Sequence, residues 1–162
     1  MGRYYYCNSG REGKFWFAVQ PSTDPKDIYG MNEIPAEDCD FDEDDDGYGE
    51  CYVDYEAYDG ERIKKRLDKQ YDILGVPKEE RKYELEDVGK YVWNDLVKYF
   101  LTEEQTKRED GQDTIGYAMG DDKPTMYPIS KEKELAASRV QLGLVIYNTI
   151  LTEGECLLTA EF

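Results

Sequence analysis

The amino-acid sequence predicts an α+β domain: a small, mostly antiparallel sheet formed by an N-terminal hairpin, a middle strand and the C-terminal strand, packed against about three helices. Three observations lead there. Aromatic and β-branched runs bounded by turn residues occupy residues 3–7, 14–20 and 155–162. Apolar residues at helical spacing fill a helical middle over 60–101 and a further stretch before the last strand. The order is strands, helices, then a strand, with neither an internal repeat nor a regular βαβ alternation. At 162 residues and 40% apolar content, the length suits one domain over 1–162 with enough apolar side chains for a core.

The elements follow in chain order. Residues 3–7 (RYYYC) and 14–20 (KFWFAVQ) read as a hairpin joined by the turn-rich NSGREG, and Pro21 and Pro25 break the pattern. Residues 50–55 (ECYVDY) read as a third strand with Cys51, Val53 and Tyr55 on one face. A helix starts at Asp59 or Gly60 and runs to Leu74, with Ile63, Leu67, Tyr71 and Leu74 as its stripe, stopped by Gly75 and Pro77. A second helix covers 85–101, with Leu85, Val88, Val92, Leu96, Tyr99 and Phe100 on one side and Trp93 widening it. Residues 102–113 are polar, 114–119 (TIGYAM) read as a short strand, and 120–128 as a loop. Ser130 caps a third helix to about Leu151, whose apolar positions include Leu135, Leu142, Val145, Ile146, Thr149 and Ile150.

Charge is the most unusual property. There are 37 acidic and 20 basic residues and no histidine, a net charge of -17. Residues 31–60 alone hold 13 acids and no Lys or Arg, which leaves 24 acids against 20 bases in the remainder. The charge is therefore concentrated in one tyrosine-rich segment. Such a chain does not bind nucleic acid directly through a basic surface, and anionic membranes repel it. Without histidine, Ser-His-Asp and Cys-His catalysis are excluded, and so is the commonest metal ligand. No phosphate-binding loop and no dinucleotide fingerprint is present. Acids are so plentiful that a pair of carboxylates carries no information about hydrolysis. No catalytic residue and no required cofactor is expected, so the chain does not read as an enzyme.

The four cysteines, Cys7, Cys39, Cys51 and Cys156, form no C-x-x-C pair and read as reduced thiols, some of them buried; Cys39 and Cys51 flank the acidic run and would bridge only in an oxidising setting. The opening MGRYYYCNSG lacks the pattern of a secretory signal or of myristoylation, and no apolar run is long enough to cross a bilayer. The expected location is cytoplasmic.

Within the acidic segment, Asp38, Asp40, Asp42, Asp44 and Asp46 alternate. In an extended strand, alternate side chains share a face about 6.6–6.8 Å apart, comparable to the spacing of successive phosphates along one nucleic-acid strand. Carboxylates at that pitch mimic a phosphate backbone, and their natural partner is a Lys- and Arg-lined groove that holds DNA or RNA. The expected partner-binding acids are Asp38, Asp40, Asp42, Glu43, Asp44, Asp45, Asp46, Glu50, Asp54, Glu56 and Asp59. Tyr48, Tyr52, Tyr55 and Tyr58 are the expected anchors, because tyrosine gives large contact area at low conformational cost.

Calcium competes for the same residues. Asp42, Asp44, Asp46 and Gly47 match the start of a calcium loop, with the Tyr48 carbonyl and Glu50 in later ligand positions. The bidentate twelfth position is Val53, however, so weak Ca2+ binding is the alternative expectation. A cationic cluster, Arg62, Lys64, Lys65, Arg66 and Lys69, follows on the first long helix and reads as a solvated face paired with nearby acids.

In overall style the chain is similar to the small acidic proteins with which viruses and mobile elements block nucleic-acid-handling enzymes, including anti-restriction and anti-CRISPR inhibitors. That similarity is one of composition and carries no residue over. It implies a non-catalytic inhibitor that occupies the basic surface of a nucleic-acid-binding protein or complex. A generic protein-interaction domain is the other alternative.

Overall fold

The C-terminal strand is the pivot of the fold. A computed structural model describes residues 5–8, 21, 23–34, 52–102 and 127–161. In it β6 (Cys156–Glu161) lies between β1 (Tyr5–Cys7) and β3 (Tyr52–Ala57), and β2 (Asn32–Ile34) adds to the far side of β3. All three pairings are antiparallel, so the fold is α+β with a four-stranded sheet in the order β1-β6-β3-β2.

Alternation decides which side chains enter the core. Cys156, Leu158 and Ala160 of β6 are buried, as are Tyr55 and Ala57 of β3 and Tyr5 and Cys7 of β1. These residues face the helices, and their neighbours in sequence face the other way.

Two helices build most of the core. α5 (Lys131–Glu153) is capped by the Ser130 hydroxyl, which accepts from the Lys133 amide at 3.1 Å. From Ala136 to Ile150 every residue except Arg139 is buried, so α5 is a central helix covered all round and not an amphipathic one. α2 (Gly60–Leu74) buries Ile63, Leu67, Tyr71 and Leu74 against it. It ends on Gly75 at φ 88°, a left-handed position that glycine fills without strain. The Lys133 ammonium then donates to the carbonyls of Ile73 (2.8 Å) and Leu74 (3.0 Å), neutralising the carbonyl end of α2.

The second helical stretch is shorter than its periodicity suggests. It runs as α3 (Val88–Tyr91), a π-helical turn (Val92–Leu96) and α4 (Val97–Phe100). It begins at Val88 and not at Leu85, with Asp87 as its N-cap, the carboxylate accepting from the Lys90 amide (3.0 Å). Leu101–Thr102 (β4) and Tyr127–Pro128 (β5) form a small second ladder, where sequence had indicated a loop at 120–128. The third strand covers 52–57 among the described residues, with its inward parity unchanged, and residues 50–51 of the expected 50–55 lie outside them. The expected strands at 14–20 and 114–119 lie outside the described residues.

A short helix, α1 (Asp24–Asp27), is pinned to α5. The Arg139 guanidinium grips the buried Asp24 carboxylate through two hydrogen bonds of 2.9 and 3.1 Å. The Tyr29 hydroxyl donates to the Arg139 carbonyl. Gly143 is what lets the ring in, since a Cβ there would lie 2.7 Å from Tyr29 Cε1. This clamp fixes the approach to β2. No helix among the described residues is long and apolar enough to cross a membrane.

Candidate functional site

β2 ends at Ile34 and β3 begins at Tyr52, and in the ladder Ile34 stands opposite Asp54. Residues 35–51 therefore leave and re-enter the sheet on two hydrogen-bonded neighbours. This stretch holds Glu37, Asp38, Asp40, Asp42, Glu43, Asp44, Asp45, Asp46 and Glu50 and no Lys or Arg. Those residues and Tyr48 lie outside the described residues, and so do all the candidate calcium ligands. What the fold defines is where the segment is attached. Its first end follows the α1 turn, which the Asp24–Arg139 pair holds and to which Arg66 adds a hydrogen bond from its guanidinium to the Ile28 carbonyl (3.1 Å). Its second end is β3, paired with β6 over six residues.

The acidic character continues onto the face of the sheet that points away from the helices. Asp54 and Glu56 stand two residues apart on β3, at the strand pitch that phosphate mimicry requires. Asp54 accepts from the Thr159 hydroxyl at 2.7 Å, and Glu56 accepts from the Tyr58 hydroxyl at 2.6 Å. Tyr58 is 54% exposed, and its hydroxyl is held above its ordinary pKa chiefly by that hydrogen bond to the Glu56 carboxylate.

Register arranges this face in rows. Tyr6, Thr159, Asp54 and Ile34 lie in one line across all four strands, with Leu157, Glu56 and Asn32 in the next. Tyr6 and Leu157 are each 41% exposed. None of these seven residues is a Lys or Arg. Tyr6 and Leu157 were missed from sequence, although the signal was there: each has the parity opposite to its buried neighbours.

Two expected partner residues have other work. Tyr55 is not an anchor, because it is 1% exposed in the core. It shares the inward parity of Val53 and Ala57, and burial raises its hydroxyl pKa. Asp59 is the N-cap of α2, accepting from the Arg62 amide at 3.2 Å. Tyr52 lies opposite Glu161 in the ladder.

The cationic cluster lies on α2, and one of its members, Arg62, lines a small cavity together with Asn32, Glu56 and Tyr58. Lys64 sits 4.7 Å above the Tyr83 ring. The Arg62 and Arg66 guanidiniums cover Gly30, where an added Cβ would meet them at 2.7 and 3.1 Å. Contrary to expectation, none of Arg62, Lys64, Lys65, Arg66 and Lys69 forms an ion pair with another described residue. A shallow cleft of about 440 Å³ beside the π-helical turn is lined by Lys82, Lys98 and Tyr99 among others. Its cations already have partners, Lys98 with Glu80 at 3.1 Å and Lys82 with Asp95 at 4.0 Å, so it offers no excess charge to a ligand. Cys7 and Cys156 are buried, and burial pushes the Cys156 thiol up to about 12, away from reactive thiolate chemistry.

The chain matches no family model, no curated protein and no solved structure.

Proposed function

We propose that this protein is a non-catalytic inhibitor that occupies the basic nucleic-acid-binding surface of a larger protein, as the DNA-mimicking anti-restriction and anti-CRISPR proteins of viruses and mobile elements do. It acts inside the cell, by electrostatic and steric competition with DNA or RNA. One observation carries the reading: a segment with nine acids and no base in 35–51 is tied at both ends to neighbouring strands, and Asp54 and Glu56 continue its charge on a sheet face whose described residues include no cation. A segment closed at both ends loses less entropy on docking than a free tail, which favours tight binding for the same charge. Asp38, Asp40, Asp42, Glu43, Asp44, Asp45, Asp46 and Glu50 supply most of the charge, and Tyr48 and Tyr58 the aromatic contact.

The test is capture of host proteins on the immobilised chain, eluted with rising salt. Nucleic-acid-binding proteins are recovered, and they elute as salt screens the acids. The triple change Asp42→Lys, Asp44→Lys and Asp46→Lys abolishes their recovery with the melting temperature retained. Undiminished recovery by that variant would refute the reading.

A further inference from the structure

We infer that the outer sheet face is itself part of the docking surface, and that its occupant is an arginine-rich protein surface. This inference rests on the reading proposed above and names the partner's chemistry more narrowly.

The first premise is apolar exposure. One face of the sheet is covered by α2 and α5, while the other presents Tyr6, Leu157 and Tyr58 to solvent at 41%, 41% and 54% exposure. They are set in a plane four strands wide, about 14 Å across at ordinary strand spacing. The second premise is sign. The carboxylates of its two rows are Asp54 and Glu56, and no residue of those rows is cationic; the cation beside them is Arg62 of α2, which lines a cavity with Glu56 and Tyr58. An apolar partner surface would bury both carboxylates with a single hydroxyl donor each and no added cation, and an anionic one would be repelled.

The third premise is geometry, and it separates arginine from lysine. The Tyr58 hydroxyl bonded to Glu56 places an aromatic ring and a carboxylate within reach of one incoming side chain. Tyr6 and Asp54 flank Thr159 in the same row. A guanidinium can lie flat on a phenol ring and still donate two parallel hydrogen bonds to a carboxylate beside it. An ammonium is a compact, strongly hydrated charge that does neither as well.

The experiment titrates the full isotope-labelled chain with decaarginine and with decalysine at about 50 mM salt, a level at which charge contacts are not screened out. Decaarginine binds at least about fivefold tighter, as one or two stacked rings would give, and it shifts the amide resonances of Tyr6, Leu157 and Thr159. Tyr58→Ala, and Tyr6→Ala where its melting temperature is retained, lower the arginine-to-lysine ratio at least about threefold with decalysine affinity unchanged. An unchanged ratio in the variants overturns the inference. Shifts confined to residues 35–51 overturn it too, and leave the broader reading standing. Failure of both peptides to bind overturns the inference and the broader reading together.

Discussion

The two faces of the sheet are built from the same strands, often from adjacent residues, and they do different work. On β6, Leu158 is buried and Leu157 is 41% exposed. On β3, Tyr55 is in the core, while Asp54 and Glu56 point outward. The inner face is apolar and closed by α2 and α5. The outer face mixes carboxylates with exposed aromatic and aliphatic groups. A period of two lets one short strand carry a buried apolar row and an exposed, partly acidic row independently. Substitutions can therefore be sorted by parity before they are made.

Alkaline pH gives the largest separation of the two faces. Tyr29, Tyr71, Tyr83 and Tyr91, all packed on the helical side, have hydroxyl pKa values raised above the ordinary tyrosine range, in each case chiefly by burial. Tyr83, which also donates to Asp68, is pushed from 10.0 up to about 12. The folded chain thus holds its protons more tightly than the unfolded one. That contribution to stability is complete below pH 10 and is lost as pH climbs through about 12. The melting temperature should hold steady to pH 10 and then fall steeply, in step with phenolate absorbance. Ionisation of all 15 tyrosines at the ordinary pKa in the intact fold would contradict the burial of these four rings.

Adjacent leucines provide the most direct single-residue comparison. Leu158→Ala empties a fully buried site and should cost about 2–5 kcal/mol, whereas Leu157→Ala should cost under about 0.5 kcal/mol. Chemical denaturation measures both. Equal costs would mean that the parity of β6 is wrong. A somewhat smaller loss tests the clamp that delivers β2. Gly143→Ala gains roughly 1 kcal/mol of helix propensity, but its methyl group meets the buried Tyr29 ring and displaces the hydroxyl from the Arg139 carbonyl. Overpacking and the lost hydrogen bond should outweigh that gain and leave a net loss of about 1–3 kcal/mol. A stabilised variant would show that the ring has room to move.

Sequence patterns gave the long elements because they are locally consistent. α2 carries its own cap, stripe and glycine stop, and α5 its Ser130 cap. β2 was hidden: its three residues lie inside the acidic segment, and it is a strand because β3 offers it an edge. The start of α3 differs from its periodicity because Leu85 continues the apolar spacing of the helix, while the cap that starts it is Asp87. At the candidate site, charge could be counted from sequence but exposure could not. Tyr55 and Tyr58 differ in strand parity, and the ladder with β6 decides which parity is buried: Tyr55 enters the core, while Tyr58, just past the strand, bonds Glu56.

Asp59 draws the finest distinction, because it sits between the two roles. It belongs to the acidic segment by composition, yet its carboxylate accepts from the Arg62 amide and starts α2. Asp59→Ala removes the cap and should cost about 0.5–2 kcal/mol, whereas Asp59→Asn keeps an N-cap of similar strength and should cost only a few tenths. Binding reads the carboxylate's charge, which both changes remove. If Asp59 acts only as a cap, neither change alters the affinity for decaarginine once folding is complete. If it also faces the partner, Asp59→Asn weakens binding by up to about twofold, the size expected for one exposed charge pair, while leaving stability nearly intact. Measuring both quantities on both variants assigns Asp59 to the inner scaffold or to the outer surface, a choice that its place in the acidic run does not make.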